Sequence, residues 1–315
     1  MLAILPRHAK AQAAPFPSRP IRILVGFAPG GGNDVTSRIL AQSLSEGPLG
    51  TVLVDNRTGA SGLIAADILA KAPADGTTLM VASQSTYAVA PVLYKSTTTF
   101  DAQRDVAGVA MLGASPMVLI VNPRLAVRSV RELIDMVKKR PGALNFGSGG
   151  VGTTPHMAAE LFLFNTGLRM THIPYRGEAP AIADVLAGQV PLLFANVSVV
   201  TGQVKSGALR ALAVTSPHRA SSLPDVPTLA ESGVQGSDVE TWFGLTAPAA
   251  TPRDIVRRLN AEVRKALANP DLQRRFAELS LSVNPSSPEE LDAIIKSETR
   301  RWAEIILRAG IRAAE

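Results

Sequence analysis

An apolar run, three consecutive glycines and the start of an apolar-striped helix follow one another within residues 21–38 (IRILVGFAPGGGNDVTSR). This order narrows the choice of fold more than any other stretch. Ile21, Ile23, Leu24, Val25 and Phe27 suit a buried parallel strand. Pro29 stops it, and Gly30, Gly31 and Gly32 let the backbone turn through positive φ. Asn33 or Asp34 stands where a cap belongs, with Val35, Ile39 and Leu40 on the inner side of the helix that follows. The expected product is a set of free backbone N–H groups at a helix N-terminus, an anion site. The same turn also serves as a plain tight connection, because a helix end attracts anions without choosing among them. Two nucleotide motifs are excluded. No Gly-Lys-Ser/Thr follows the glycines, and the G-x-G-x-x-G spacing is absent.

A counterpart lies further on. Residues 143–146 read as a strand, 147–154 (GSGGVGTT) as a second glycine-rich turn, and Pro155 as the first residue of a helix. Ser148, Thr153 and Thr154 add hydroxyl donors. Two such turns in one chain point to a clamp in which two helix ends hold a carboxylate.

Each turn opens a β-α-β-α-β run, the pattern of an open, mostly parallel sheet. Strands at 51–55 and 77–82 complete the first run, and strands at 171–175, 190–195 and 209–215 follow in the second. Ligands in such sheets sit off the carboxyl ends of the strands. That rim holds 28–34 and 83–86 in the first run, and 175–178, 196–198 and 215–216 in the second. Asn196 is placed to donate its amide to a bound carboxylate or to act as an ordinary turn residue. Between the runs, 106–114 and 116–122 read as two strands, the second apolar enough to pass from one domain into another. Residues 239–247 cross back. Residues 225–233 read as a short helix. Three helices follow from Thr251, the last with a Ser287–Glu290 capping box. Leu291, Ile294, Ile295, Trp302, Ile305 and Ile306 are expected to cover the first domain. The division expected is a leader at 1–14, one lobe from 15–120 with 240–315, and a second lobe from 121–239.

Composition removes several function classes. The 315 residues include no cysteine, so thiolate metal sites, disulfides and thiol nucleophiles are excluded. No apolar run reaches the roughly 18 residues of a membrane span, so no membrane insertion is expected. The net charge of +6 is scattered over amphipathic helices, without the aromatic-interleaved stripe of a nucleic-acid binder. The four histidines stand at no metal spacing, and no cofactor motif is present. Ser148 with His156 is the one nucleophile–base pair within reach. Phe146 replaces the first glycine of the G-x-S-x-G elbow, and no triad order can be assembled. A hydrolase or lyase acting on a small carboxylate is therefore the second reading. Ala11-Gln12-Ala13 has the form of a signal-peptidase site, but Met1–Leu5 is short for an apolar leader core. A shortened leader, which would place the protein in the periplasm, and a disordered tail both fit.

Phe27–Asp34, Val54–Arg57, Asp75-Gly76, Gly149–His156, Val185–Val190, Leu209–Ser216 with Leu223–Pro227, and Trp242–Pro248 together resemble the solute-binding receptors of tripartite tricarboxylate transporters, the Bug-type periplasmic proteins. The resemblance runs from Phe16 to the C-terminus. It implies an α/β, two-lobed periplasmic binding protein of type II-like form, each lobe an open, mostly parallel sheet flanked by helices, with two crossover strands. It implies a monomer with no catalytic residues, metal or cofactor, closing by a hinge on a small organic acid or related solute. The loaded receptor would dock on separate membrane transporter subunits, or as a sensor on a signalling partner. Carried over by motif, the ligand-binding residues are Ala28, Pro29, Gly30, Gly31, Gly32, Asn33 and Asp34 in lobe one. In lobe two they are Ser148, Gly149, Gly150, Thr153, Thr154 and His156. Ser83, Gln84, Ser85, Tyr175, Arg176, Gly177 and Asn196 line the cleft in the matching loops. One departure bears on the ligand. The family often carries Asp-Asn after the phenylalanine of the third strand of lobe two, whereas Phe194 here is followed by Ala195-Asn196. Loss of that carboxylate counts against amine-bearing ligands. The Ser83–Tyr87 loop also departs from the family pattern, so the ligand's identity does not carry over.

Overall fold

Apolar residues alternate between two covered faces along the first three strands, and this alternation sets the first lobe. The computed structural model describes residues 16–312, so the expected leader at 1–14 lies outside the described residues. Strand β1 (Ile21–Val25) lies between β2 (Val52–Asn56) and β3 (Thr78–Ser83), all parallel. Ile21, Ile23, Leu79 and Val81 pack on α1 (Gly32–Ser45) and on the later helices α9 (Arg253–Leu267) and α10 (Pro270–Glu278). Leu24, Met80 and Ala82 face the other way, onto α2 (Leu63–Ala70) and the start of α11 (Pro288–Ala309). Both faces are dry, so these strands read as nearly continuous apolar runs. After β3 the chain makes a π-helical turn at Ser85–Val89, then short helices α3 (Ala90–Leu93) and α4 (Ala102–Asp105).

Residues 106–122, expected as two strands, form one: β4 (Val106–Val121). Its first part pairs antiparallel with β9 (Glu240–Pro248) as far as Pro116, and β9 pairs in turn with β3. From Met117 onward β4 lies between β7 (Leu192–Asn196) and β8 (Arg210–Val214). The partners change at Pro116, ahead of the 120/121 boundary expected from hydropathy. Proline has no N–H to donate, and the point where one partner is exchanged for another is where that lack costs least. A two-residue strand, β10 (Ser282–Val283), not foreseen, pairs with Gly113–Ala114. A Cβ on Gly113 would stand 2.0 Å from the Ser282 carbonyl oxygen, so only glycine admits this approach.

In the second lobe β5 (Asn145–Ser148) lies between β6 (Thr171–Pro174) and β7, again parallel. Helices α5 (Val130–Lys139), α6 (Thr154–Thr166), α7 (Glu178–Ala187) and α8 (Val197–Lys205) cover it. Residues 225–233 form turns rather than the expected helix. Thr228 and Glu231 bond each other's backbone N–H, and Thr228 bridges to Val214.

The C-terminal helices do not all cover the first lobe. The α11 capping box forms as expected, and Leu291 and Ile295 join the first lobe's core. Trp302 and Ile306 instead join the cluster built on Phe146, Phe162 and Phe194 of the second lobe. Twenty-two residues of helix reach about 33 Å, so one helix spans both cores. Trp302 is fully buried, and Trp302→Ala should lower unfolding stability by about 3–5 kcal/mol in urea titration.

Candidate functional site

The carboxyl ends of β1, β3, β5 and β7 face one another between the lobes. Each of β1, β5 and β7 feeds a helix there, and so does β6. The N-caps are Gly31 for α1, Thr153 for α6, Gly177 for α7 and Asn196 for α8. None of the four caps closes its helix with a side-chain hydrogen bond. The first N–H groups of a helix have no partner inside it, and each end carries roughly half a positive charge. Gly31, Gly32, Thr153, Thr154, Glu178 and Asn196 from these four ends line one small chamber of about 30 Å³, with Asn33, Ser83, Ser85 and Gly149. A larger cavity of about 410 Å³ lies outside it, lined by Thr58–Ser61, Tyr94, Gly149–Val151, Tyr175 and Arg176. Phe27 and Gly149 belong to both walls.

The lobes are closed on each other. Thr154 N–H donates to Ser85 Oγ at 2.8 Å, and the two hydroxyls lie 2.9 Å apart. Ser61 Oγ donates to the Val151 carbonyl. Glycine keeps the closest approach open: a Cβ on Gly32 would meet Asn196 Nδ2 at 3.0 Å and Phe243 at 3.2 Å. A Cβ on Gly177 would meet that of Ala28 at 2.7 Å.

A carboxylate of the chain itself occupies this junction. Glu178 Oε1 accepts from the Asn196 N–H, and Oε2 accepts from Asn196 Nδ2 at 2.9 Å and from Gly32 N–H at 3.5 Å. Burial holds its carboxyl above the usual carboxylate range, against the pull of those hydrogen bonds.

Several residues expected in the cleft do other work. Pro29 and Gly30 are exposed on the outer side of the first turn. Only Gly30 of the three glycines has positive φ, and α1 begins at Gly32 rather than after an Asn33 or Asp34 cap. Asp34 lies in the first turn of α1 with its carboxylate folded back onto the loop. It accepts from Gly30 N–H, Asn56 Nδ2 and Arg38, and these bonds lower its pKa although burial works the other way. Gln84 is tied to β9, donating to the Glu240 carbonyl and accepting from Trp242 N–H. His156 is buried in the second lobe, its Nδ1 accepting from Gly152 N–H and its ring stacked on His172. Asn196 is both strand end and helix cap, because α8 starts at Val197 and not at Thr201.

Ser148 does not line either cavity. Its Oγ is fully buried and shared with His172 Nε2 at 2.6 Å and with the Gly150 backbone. Burial, then the neighbouring His156, drives the His172 pKa down to about 3. Such an imidazole is a poor general base at neutral pH, and the hydroxyl lines neither of the two cavities, which counts against the hydrolase reading. Among the described residues no group of three His, Cys, Asp or Glu side chains is placed to hold a metal, and no helix is long and apolar enough to cross a membrane.

Sequence reasoning placed Glu178 on the rim without giving it a role, and passed over Thr58–Ser61, Tyr94 and Thr241. The glycines at 59 and 62 marked the loop after β2. Nothing in the sequence says that Ala60 and Ser61 adopt φ of 46° and 53°, a costly conformation for residues with a Cβ.

The half-buried His172 has a pH signature. It stays neutral in the folded state but takes a proton near pH 6.5 when unfolded, so stability is lost as pH falls from about 6.5 toward about 3. NMR titration should find its ring unprotonated at pH 5, and the urea midpoint should fall below pH 6.5.

Residues 36–311 match the family model described as tripartite tricarboxylate transporter family receptor. Protein BugT of Bordetella pertussis is 35% identical over 96% of this chain and 93% of its own length. The solved structure of R. palustris Rpa4515 with adipate is similar at 34% identity and a TM-score of 0.92, covering 95% of this chain and 100% of that one. The periplasmic binding protein BugD is similar at 34% identity and a TM-score of 0.90, with coverage of 95% and 100%. The chain belongs to the tripartite tricarboxylate transporter receptor family, whose members are periplasmic solute-binding proteins and not enzymes.

Proposed function

We propose that this receptor closes on one small carboxylate between its lobes and hands it to the membrane subunits of a tripartite tricarboxylate-type transporter. The observation that carries the reading is the convergence of four helix N-termini, none closed by its own cap side chain, on one interlobe chamber. Four positive helix ends aimed at one point favour negative charge there. The chain's own Glu178 carboxylate, held by the amides of Asn196 and Gly32, is an internal example of that chemistry. The relative solved with adipate supports the same solute class.

In this reading the lobes are 15–120 with 240–315, adjusted for the switch at Pro116 and for the far end of α11, and 121–239. Ligand contacts come from Gly31, Gly32, Asn33, Ser83, Ser85, Gly149, Gly150, Thr153, Thr154, Tyr175, Arg176 and Asn196. Ala28 and Gly177 set how closely the lobes approach. The receptor works as a monomer. The ligand shifts a hinge equilibrium toward the closed form because it touches both lobes only there. The crossover strands β4 and β9 are the hinge elements.

A thermal-shift panel of small carboxylates on the purified protein tests the reading. A true ligand at 100 times its Kd should add about 2.7 kcal/mol to stability, with a smaller radius of gyration in X-ray scattering. Turnover of any of them, or no binding across the panel, would sink it. Gly32→Ala should fold normally, because its φ is not positive, yet weaken binding at least tenfold. The added methyl presses lightly on Phe243 of its own lobe in either state, and on Asn196 of the other lobe only in the closed form. Unchanged affinity by calorimetry would count against closure at this contact.

A further inference from the structure

Glu178 is the group the receptor reading does not yet use. It is buried, it lines the inner chamber, and no cationic side chain stands within ion-pair distance of it among the described residues. Its position is fixed mainly from its own lobe. Two of its three hydrogen bonds come from Asn196, and only the longest, from Gly32, crosses the cleft. Opening the lobes therefore leaves the carboxylate in place, so an arriving solute meets it in either state.

A second observation concerns the atoms around it. Asn33 Oδ1, Ser83 Oγ and Asn196 Oδ1 are buried in residues lining the same chamber and have no hydrogen-bond partner. The Asn196 amide is oriented by its Nδ2, which must face the carboxylate, so its oxygen is the atom left unpaired. Two of the three are amide oxygens that only accept, and Ser83 Oγ accepts or donates, so unpaired acceptors stand beside Glu178. A donor that enters beside Glu178 satisfies these oxygens. The free space of about 30 Å³ suits one water-sized group. A second carboxylate placed there would lie against the Glu178 oxygens, where like charges repel strongly away from water.

Resting on the receptor reading, we infer that Glu178 is the specificity-determining residue of the cleft: it selects a small carboxylate whose other end carries a hydrogen-bond donor, an ammonium above all, and rejects plain dicarboxylates. The donor end enters the inner chamber and pairs with Glu178. The helix ends that favour negative charge in the chamber are answered there by Glu178 itself, and the solute's own carboxylate lies in the outer cavity, beside Arg176 and the Gly149–Val151 turn. This reverses the expectation drawn from Ala195. The carboxylate missing at that position is supplied from α7, bonded to the very next residue, Asn196.

The test is calorimetric binding to matched pairs that differ at one end. The probes are adipate against 6-aminohexanoate and adipate monoamide, and succinate against 4-aminobutanoate and succinate monoamide. The expected result is that an amine or amide member binds at least tenfold tighter than its dicarboxylate, with the amine ahead. Glu178→Gln should erase the preference for the amine and admit the dicarboxylate, and circular dichroism should find it folded. Equal or tighter dicarboxylate binding by the unaltered protein overturns the inference, whether or not the variant folds. So does a ratio unchanged in Glu178→Gln. In both cases carboxylate binding itself stands, and the receptor reading survives. If neither the broad carboxylate panel nor any pair member binds, the receptor reading falls and the inference with it.

Discussion

The structure depends on helix ends that their own side chains leave uncapped. Four helices begin at the carboxyl ends of parallel strands, and their N-caps are glycine, threonine, glycine and asparagine, none folding back on its own helix. A lone helix would gain about 1 kcal/mol from a Ser or Asp cap. Where a cap does form, as at Ser129 and Ser287, the helix lies away from the cleft. The donors withheld from capping are the ones that face the space between the lobes.

Closure follows from the same economy of side chains. Gly32 and Gly177 let the lobes approach, Gly32 against the Asn196 amide and Gly177 against Ala28, while Gly149 packs on the Gly177–Glu178 backbone of its own lobe. Ser85 supplies a hydroxyl to the uncapped Thr154 N–H across the gap, so a donor at one helix end is met by the opposite lobe. Glu178 extends the principle. A carboxylate from α7 is held at the α8 end and reaches toward the α1 end, and so the chain sets the charge that a solute must complement.

The two lobes are coupled by elements that belong to both. β4 is a single strand because its apolar run is unbroken on either side of Pro116, and the proline stands where pairing changes hands. α11 carries Leu291 and Ile295 into one core and Trp302 and Ile306 into the other. The hinge proposed at β4 and β9 would therefore work beneath a helix anchored at both ends.

Local rules determined much of this from the sequence alone. Strand patterning, the two glycine-rich turns, the crossover run, the Ser287 capping box and the family resemblance were legible because each rests on residues close together in the chain. The contacts between turns were not. That Ser148 turns inward to His172, that Gln84 fastens β9, and that Asp34 braces its own loop depend on partners 24, 156 and 4 to 22 residues away. The same holds for Glu178, whose meaning comes from Asn196 on another strand and Gly32 in another lobe. Propensity and periodicity specify which backbone groups are left free. Only packing in three dimensions decides which side chains stand opposite them, because burial and hydrogen bonding depend on distance in space and not along the chain.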